Sequence, residues 1–357
     1  MLSLVNKGIT LVFSTFFILI QMIFPITPDF VGGEDKYLYD WDSNMTYSSD
    51  VYAQTIVKDP DEDFVILNLT DIQLTSFDYL GEVGEIAHFV IDELVEKIDP
   101  DLITVTGDNA AGPTAYLRLT KKLDSYGIPW APVMGNHDGE YIISKFWGAY
   151  QFITAENCVF QIGPKDMGYG NYILNIEENG KIIHTLFMMD THSFTDVEHD
   201  NYDHLWDNQI EWYEWAVKGI TKENGKIIDS SVFIHIPVPE YEDAWNSIHD
   251  ENGNMIEPYK SQEFCTKYEG GGYPSFNNGF FDVCKELGST KNIVAGHDHV
   301  NCFTIDYEGI NLTYSMKTGI ASSYRPNTVG GTTITIDSQG NSTTNHESVD
   351  ISSFLDE

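Results

Sequence analysis

The chain has 357 residues, 42% of them apolar, which is enough to bury a sizeable core. Its 55 Asp and Glu against 19 Lys and Arg give a formal charge of -36, and Arg118 and Arg325 are its only arginines. That balance argues against a nucleic-acid partner, because phosphate backbones are held chiefly by Lys and Arg. It also means that a small anionic substrate must be captured by a local cationic field rather than by the molecule as a whole.

In chain order, Lys7 precedes an apolar stretch from Ile9 to Ile26 that predicts a secretory signal peptide or an uncleaved membrane anchor over residues 1–26, and hence a secreted or surface-anchored protein. Residues 27–62, rich in Asp and Tyr, predict a linker and extended arm. A single catalytic domain is expected over 63–340, followed by a C-terminal tail at 341–357. Within the domain, apolar runs at Phe64–Leu69, Leu102–Val105, Trp130–Met134, Val232–Ile234 and Asn292–Ala295, closed by Gly, Asp or Asn, read as buried strands ending in functional turns. Helical spacing marks Glu82–Ile98 and Ala115–Leu123. Period-two alternation in Cys302–Asp306, Ile310–Met316 and Thr332–Ile336 predicts an antiparallel second half.

Between His235 and His297 lies a polar, aromatic insert from Glu240 to about Ser289, carrying Gly270-Gly271-Gly272 and Tyr273. It reads either as a substrate-binding loop or as a surface loop pinned by a disulfide. Cys265 and Cys284 flank a loop and could pair, whereas Cys158 and Cys302 have no evident partner in the sequence. Of the sequons at Asn44, Asn68, Asn311 and Asn341, Asn68 is expected inside a buried strand.

The chemistry is concentrated where the runs end. Five short bursts stand there: Asp71-Ile72-Gln73, Gly107-Asp108-Asn109, Gly135-Asn136-His137-Asp138, the lone His235, and Gly296-His297-Asp298-His299. Any one alone has an ordinary explanation, such as a core histidine or an Asx turn. Together they supply what two divalent cations about 3.5 to 4 Å apart require, namely a carboxylate to bridge them and oxygen and imidazole donors for the outer positions.

These bursts, in this order, resemble the pattern of the calcineurin-like metallophosphoesterases: D-x-H, G-D, G-N-H-[DE], a lone His, and G-H-x-H. The resemblance covers roughly residues 60 to 337. Segments such as Asn208–Tyr213, His235–Tyr241 and Asn277–Phe281 are similar to the secreted single-domain phosphatase branch related to the purple acid phosphatases. The resemblance implies an α/β fold, a four-layer α/β/β/α sandwich with two mixed sheets and a dinuclear metal site at the strand ends.

It further implies that Asp71 and His299 hold one ion, that Asn136, His235 and His297 hold the other, and that Asp108 bridges. His137 would contact the phosphoryl oxygens and protonate the leaving oxygen, with Asp138 as its orienting partner. A metal-bound hydroxide would attack the phosphate ester. The oligomeric state is left open.

Two departures qualify the ions. Gln73 stands where the pattern has His, so it offers an amide oxygen or leaves a place for water. An oxygen donor favours a harder ion such as Mn²⁺ or Mg²⁺ over Zn²⁺, and the D-x-Q variant is similar to that of Mn-dependent ADP-ribose and CDP-alcohol diphosphatases. Ala111 replaces the tyrosine of true purple acid phosphatases, so no purple Fe(III) centre is expected. Two divalent ions drawn from Mn, Fe, Zn or Mg are expected. The function so implied is hydrolysis of a small phosphate ester, with two alternatives: a nucleotide-type diphosphatase or phosphodiesterase, and a surface protein that has lost turnover.

Overall fold

A computed structural model describes residues 33–75, 81–140, 143–195 and 201–355. The predicted signal or anchor at 1–26 lies outside these. Among the described residues two large sheets form, one of five strands and one of eight. In the first the spatial order is Ser342–Ser348, Gly330–Ile336, Phe64–Leu69, Leu102–Thr106 and Trp130–Val133, the last three mutually parallel. In the second it is Thr266–Lys267, Asn301–Tyr307, Ile310–Tyr314, Thr290–Ala295, Asp229–Phe233, Lys181–Met188, Tyr172–Glu178 and Ala53–Val57. Its centre, from Ile310–Tyr314 through Thr290–Ala295 and Asp229–Phe233 to Lys181–Met188, is parallel.

Strands buried on both faces need apolar residues at both parities, and the two cores divide them by alternation. Leu186, Met188, Phe233 and Val294 join the core shared with the five-stranded sheet, whereas Phe187, Met189, Val232, Ile234, Ile293 and Ala295 face an outer layer of helices. In that layer the helix Asp207–Asn224 buries Ile210, Trp212, Tyr213, Ala216, Val217 and Ile220. On the opposite side, Glu82–Ile98 buries Ile86, Ala87, Val90, Ile91 and Leu94, three or four apart, against the five-stranded sheet. The expected α/β/β/α sandwich with two mixed sheets is the observed architecture.

Both ends of the expected domain move outward. The segment 27–62, expected as a linker and arm, supplies Ala53–Val57 to one edge of the eight-stranded sheet. The tail at 341–357 supplies Ser342–Ser348 to the edge of the other. Each is an edge strand held by a backbone ladder; Ser342–Ser348 has no apolar residue, so no hydrophobic pattern could reveal it. The insert 240–289 is also less irregular than expected, since it contains the helices Glu240–Ser247 and Phe280–Leu287. All four cysteines are free, so the Cys265–Cys284 pairing is not formed. The glycine-rich loop is pinned by hydrogen bonds instead: Gly272 N donates to the Asp298 carboxylate, and Tyr268 N and Glu269 N donate to Asn301 Oδ1.

Candidate metal centre

Parallel strands deliver their C-terminal ends to one side, and in both sheets the ligand-type residues follow immediately. Asp71 comes two residues after Leu69, Asp108 two after Thr106, His235 two after Phe233, and His297 two after Ala295. Asp71, Gln73, Asp108 and His297 all have positive φ, between 49° and 77°. Non-glycine residues enter that region at a cost of about 1–3 kcal/mol and persist where the surroundings over-determine them, which is characteristic of functional sites.

The motif glycines have a steric reason. A Cβ on Gly135 would lie 2.2 Å from Asp108 Oδ1, and one on Gly296 would lie 2.0 Å from Thr70 Oγ1.

Asp71, Asp108 and His235 are buried and present ligand atoms all within 4.8 Å of one another. His235 Nδ1 lies 2.8 Å from the Thr106 carbonyl, which can only accept, so the ring donates there and turns the Nε2 lone pair inward. That Nε2 faces Asn136 Oδ1 at 2.8 Å, Asp108 Oδ1 at 3.3 Å and His297 Nδ1 at 3.3 Å. Lone pairs gathered at one point in this way, from His235 Nε2 and Asp108 Oδ1, are what a divalent cation takes as donors.

On the other side of Asp108, His299 Nε2 lies 3.5 Å from Asp71 Oδ1, a buried oxygen without a hydrogen-bond partner among the described residues. Asp71 Oδ2 is already occupied, by Thr70 Oγ1 at 2.7 Å and His297 N at 2.9 Å. The donor set and the orphaned oxygen fit divalent ions.

The electrostatics agree. Burial works to raise the Asp71 carboxyl, but His299, His235 and Lys317 overcome it and hold the group well below the usual carboxylate range. Burial, reinforced by His235, pushes the His297 imidazole down to about 3, so it stands neutral with a lone pair to give. His137 shows the opposite balance. Burial lowers it, yet Asp108 and Glu140 raise it above the ordinary imidazole value.

Two expectations about roles are corrected. Asp138 does not orient His137. Its carboxylate accepts from Gly135 N (2.7 Å), Asn109 N (2.8 Å), Asn109 Nδ2 (2.7 Å) and Tyr116 OH (2.7 Å), so it ties two of the bursts together from beneath. The group on the His137 ring is Glu140, whose Oε1 lies 2.7 Å from Nδ1. Gln73, expected either to offer an amide oxygen to the first ion or to leave that place to water, does not take the first course: it turns its oxygen to Lys317 Nζ at 2.9 Å and its Nε2 to Asp108 Oδ2 at 2.7 Å. Lys317 was not anticipated: it is buried, and burial pushes its ammonium down to about 8 against the pull of Asp71 and Asp108.

An aromatic wall, also not anticipated, flanks the site. Tyr202 stands edge-on to His297 with ring centroids 4.3 Å apart, and Phe194 stacks on Tyr202 and lies 6.2 Å from His137. A cleft of about 230 Å³ opens beside Gln73, Asp108 and His137 and is lined further by Thr75, Ala111 and Ser322. A larger groove of about 800 Å³ lies between Ser43–Tyr47 and the outer face of Asp207–Asn224. No ligand cluster lies there among the described residues, so the chemistry belongs to the smaller cleft.

A family model described as calcineurin-like phosphoesterase matches residues 64–301. Among characterised sequences, the chain is similar to the probable inactive purple acid phosphatase 14 of Arabidopsis thaliana, 28% identical over 278 residues that cover 70% of this chain and 66% of that protein. It is also similar to the phosphatase DCR2 of Saccharomyces cerevisiae, 25% identical over 309 residues covering 76% and 51%. The chain thus spans between about half and two thirds of the length of these relatives. Among solved structures, a dimetal phosphatase from Danio rerio aligns with a TM-score of 0.50 over 79% of this chain and 98% of that one; at 12% identity the likeness concerns the fold.

Proposed function

Since the chain belongs to the calcineurin-like phosphoesterase family, we propose that it is a metal-dependent phosphoesterase that uses two divalent ions to hydrolyse a small phosphate monoester outside the cytosol. The observation that carries this reading is the convergence of Asp71, Asp108 and His235 within 4.8 Å, with His137 beside them and open to the cleft. Asn136, His235 and His297 would hold one ion, Asp71 and His299 the other, with Asp108 between. Bound there, such ions polarise phosphoryl oxygens and acidify coordinated water.

The chain's own residues do the rest. Glu140 orients the His137 ring through Nδ1, leaving Nε2 to meet a phosphoryl or leaving oxygen. The raised His137 favours the protonated ring, which can donate. Phe194 and Tyr202 form an apolar wall on the His297 side. A monoester is favoured over a diphosphate because the described lining of the cleft contains no Lys or Arg to pair with a second phosphate, and Glu140 adds negative charge. Export is supported by the apolar stretch from Ile9 to Ile26.

A second reading, ligand binding without turnover, is favoured by the Gln73–Lys317 contact and by relatives named inactive. One assay separates the two. An aryl phosphate monoester, a diester and a nucleotide diphosphate are offered to the purified protein with and without Mn²⁺. Monoester hydrolysis that needs the ion supports the proposal, and absence of turnover on all three supports the second reading.

A further inference from the structure

We propose that Lys317 and Gln73 together form a built-in counter-ion at the first metal position, so that the cleft binds its two ions unequally: the one among Asn136, His235 and His297 tightly, the one at Asp71 and His299 weakly. This rests on the two-ion reading above.

The orientation of Gln73 follows from donor and acceptor chemistry. An ammonium can only donate, so the atom 2.9 Å from Lys317 Nζ is the amide oxygen; a carboxylate can only accept, so the atom 2.7 Å from Asp108 Oδ2 is the amide nitrogen. Turning the amide over to offer its oxygen to an ion would set N–H groups against the ammonium and a carbonyl against the carboxylate. Both contacts would become repulsive.

The lysine cannot withdraw easily. The residue is 1% exposed, and Nζ also donates to the Asp71 carbonyl at 2.9 Å. Its backbone is laced into the strand ends, with Gly330 N donating to the Lys317 carbonyl, Thr318 N to the Thr70 carbonyl, and Thr70 N to Thr318 Oγ1.

Asp108 divides its two oxygens between the positions. Oδ1 lies 3.3 Å from His235 Nε2, facing the second ion, and receives the His137 N–H. Oδ2, which would face the first ion, is already hydrogen-bonded to Gln73. An ion at either position shares its Asp108 oxygen with one N–H, but at the first position that N–H belongs to an amide locked to the buried ammonium of Lys317, whose charge the incoming ion must meet.

The test uses the chelator-stripped full chain titrated with Mn²⁺ by calorimetry, with metal content checked by elemental analysis. Wild type is expected to show one tight ion and a second at least about tenfold weaker, the scale on which outer partners tune metal affinity. Lys317→Met removes the ammonium. Gln73→Glu keeps a partner for Lys317 and puts an oxygen where the N–H was, so it stays folded if the buried lysine variant does not. Each is expected to tighten the weaker ion by about tenfold or more and leave the tighter one unchanged. Two equal steps in wild type, or no tightening in Gln73→Glu, overturns the inference and leaves a two-ion site intact. Failure of wild type and both variants to take a second ion at millimolar Mn²⁺ overturns the two-ion reading as well.

Discussion

Glu140 Oε1 stands 2.7 Å from His137 Nδ1, in the place expected of Asp138. The ring therefore takes its orientation from a residue that is itself partly exposed, three positions along the same loop. Replacing His137 by Ala should leave the metal content unchanged and lower kcat by about 10²- to 10⁴-fold, the range of a positioned acid. Glu140→Gln should cost about tenfold, and nothing further once His137 is gone, because the two act as one unit. Steady-state kinetics on the single and double variants check both statements. Equal and additive losses would mean that Glu140 acts on its own.

Asp138 should behave as a structural residue. Asp138→Ala strands buried donors on Gly135, Asn109 and Tyr116, each costing about 1–3 kcal/mol. Denaturant unfolding is expected to show a loss of several kcal/mol, with metal affinity falling alongside it. Full stability with only a slower rate would return Asp138 to a catalytic role.

Chelation should abolish hydrolysis of an aryl phosphate and also lower the melting temperature, since ions that bind only the folded state stabilise it by mass action. Stripped protein that keeps full activity would refute the metal dependence.

A buried histidine far from the cleft sets a pH effect on stability. His184 donates from Nδ1 to the Gly340 carbonyl and accepts from Ser231 Oγ at Nε2, and burial pushes it down from 6.5 to about 4. Above pH 6.5 the ring is neutral whether folded or not, so it adds no slope. Below that the unfolded chain binds a proton that the folded one refuses, and stability falls as pH drops from 6.5 toward 4, by up to about 3 kcal/mol from this group. The His184→Asn variant should show a shallower decline over that window in urea titrations. An unchanged slope would show that other groups carry the acid sensitivity.

Much of the site could be read in the sequence because its determinants are local. Each ligand burst sits directly behind an apolar run, and a glycine such as Gly135 or Gly296 precedes the donor because the backbones approach too closely for a side chain. The residues that tune the site could not be read in this way. Lys317 follows an ordinary strand, and nothing near it in the chain tells that it meets Gln73, 244 positions away. Asp138 and Glu140 are one residue apart on either side of Gly139, and only the path of the turn decides which reaches the ring. Ser342–Ser348 is a strand solely because Gly330–Ile336 offers it a ladder.

The 2.9 Å bond from His297 N to Asp71 Oδ2 joins positions 226 apart. The full set of ligand-type residues is complete only at His299. During synthesis Asp71 emerges early and then waits through most of the domain before His297 and His299 exist. A nascent chain arrested before Gly296 would carry Asp71, Asp108 and His235 without the strand end that brings His297 and His299 to them. Capture of metal is then a late event that reports completion of the fold, and a radiolabelled ion retained by arrested chains of increasing length should appear in one step rather than gradually.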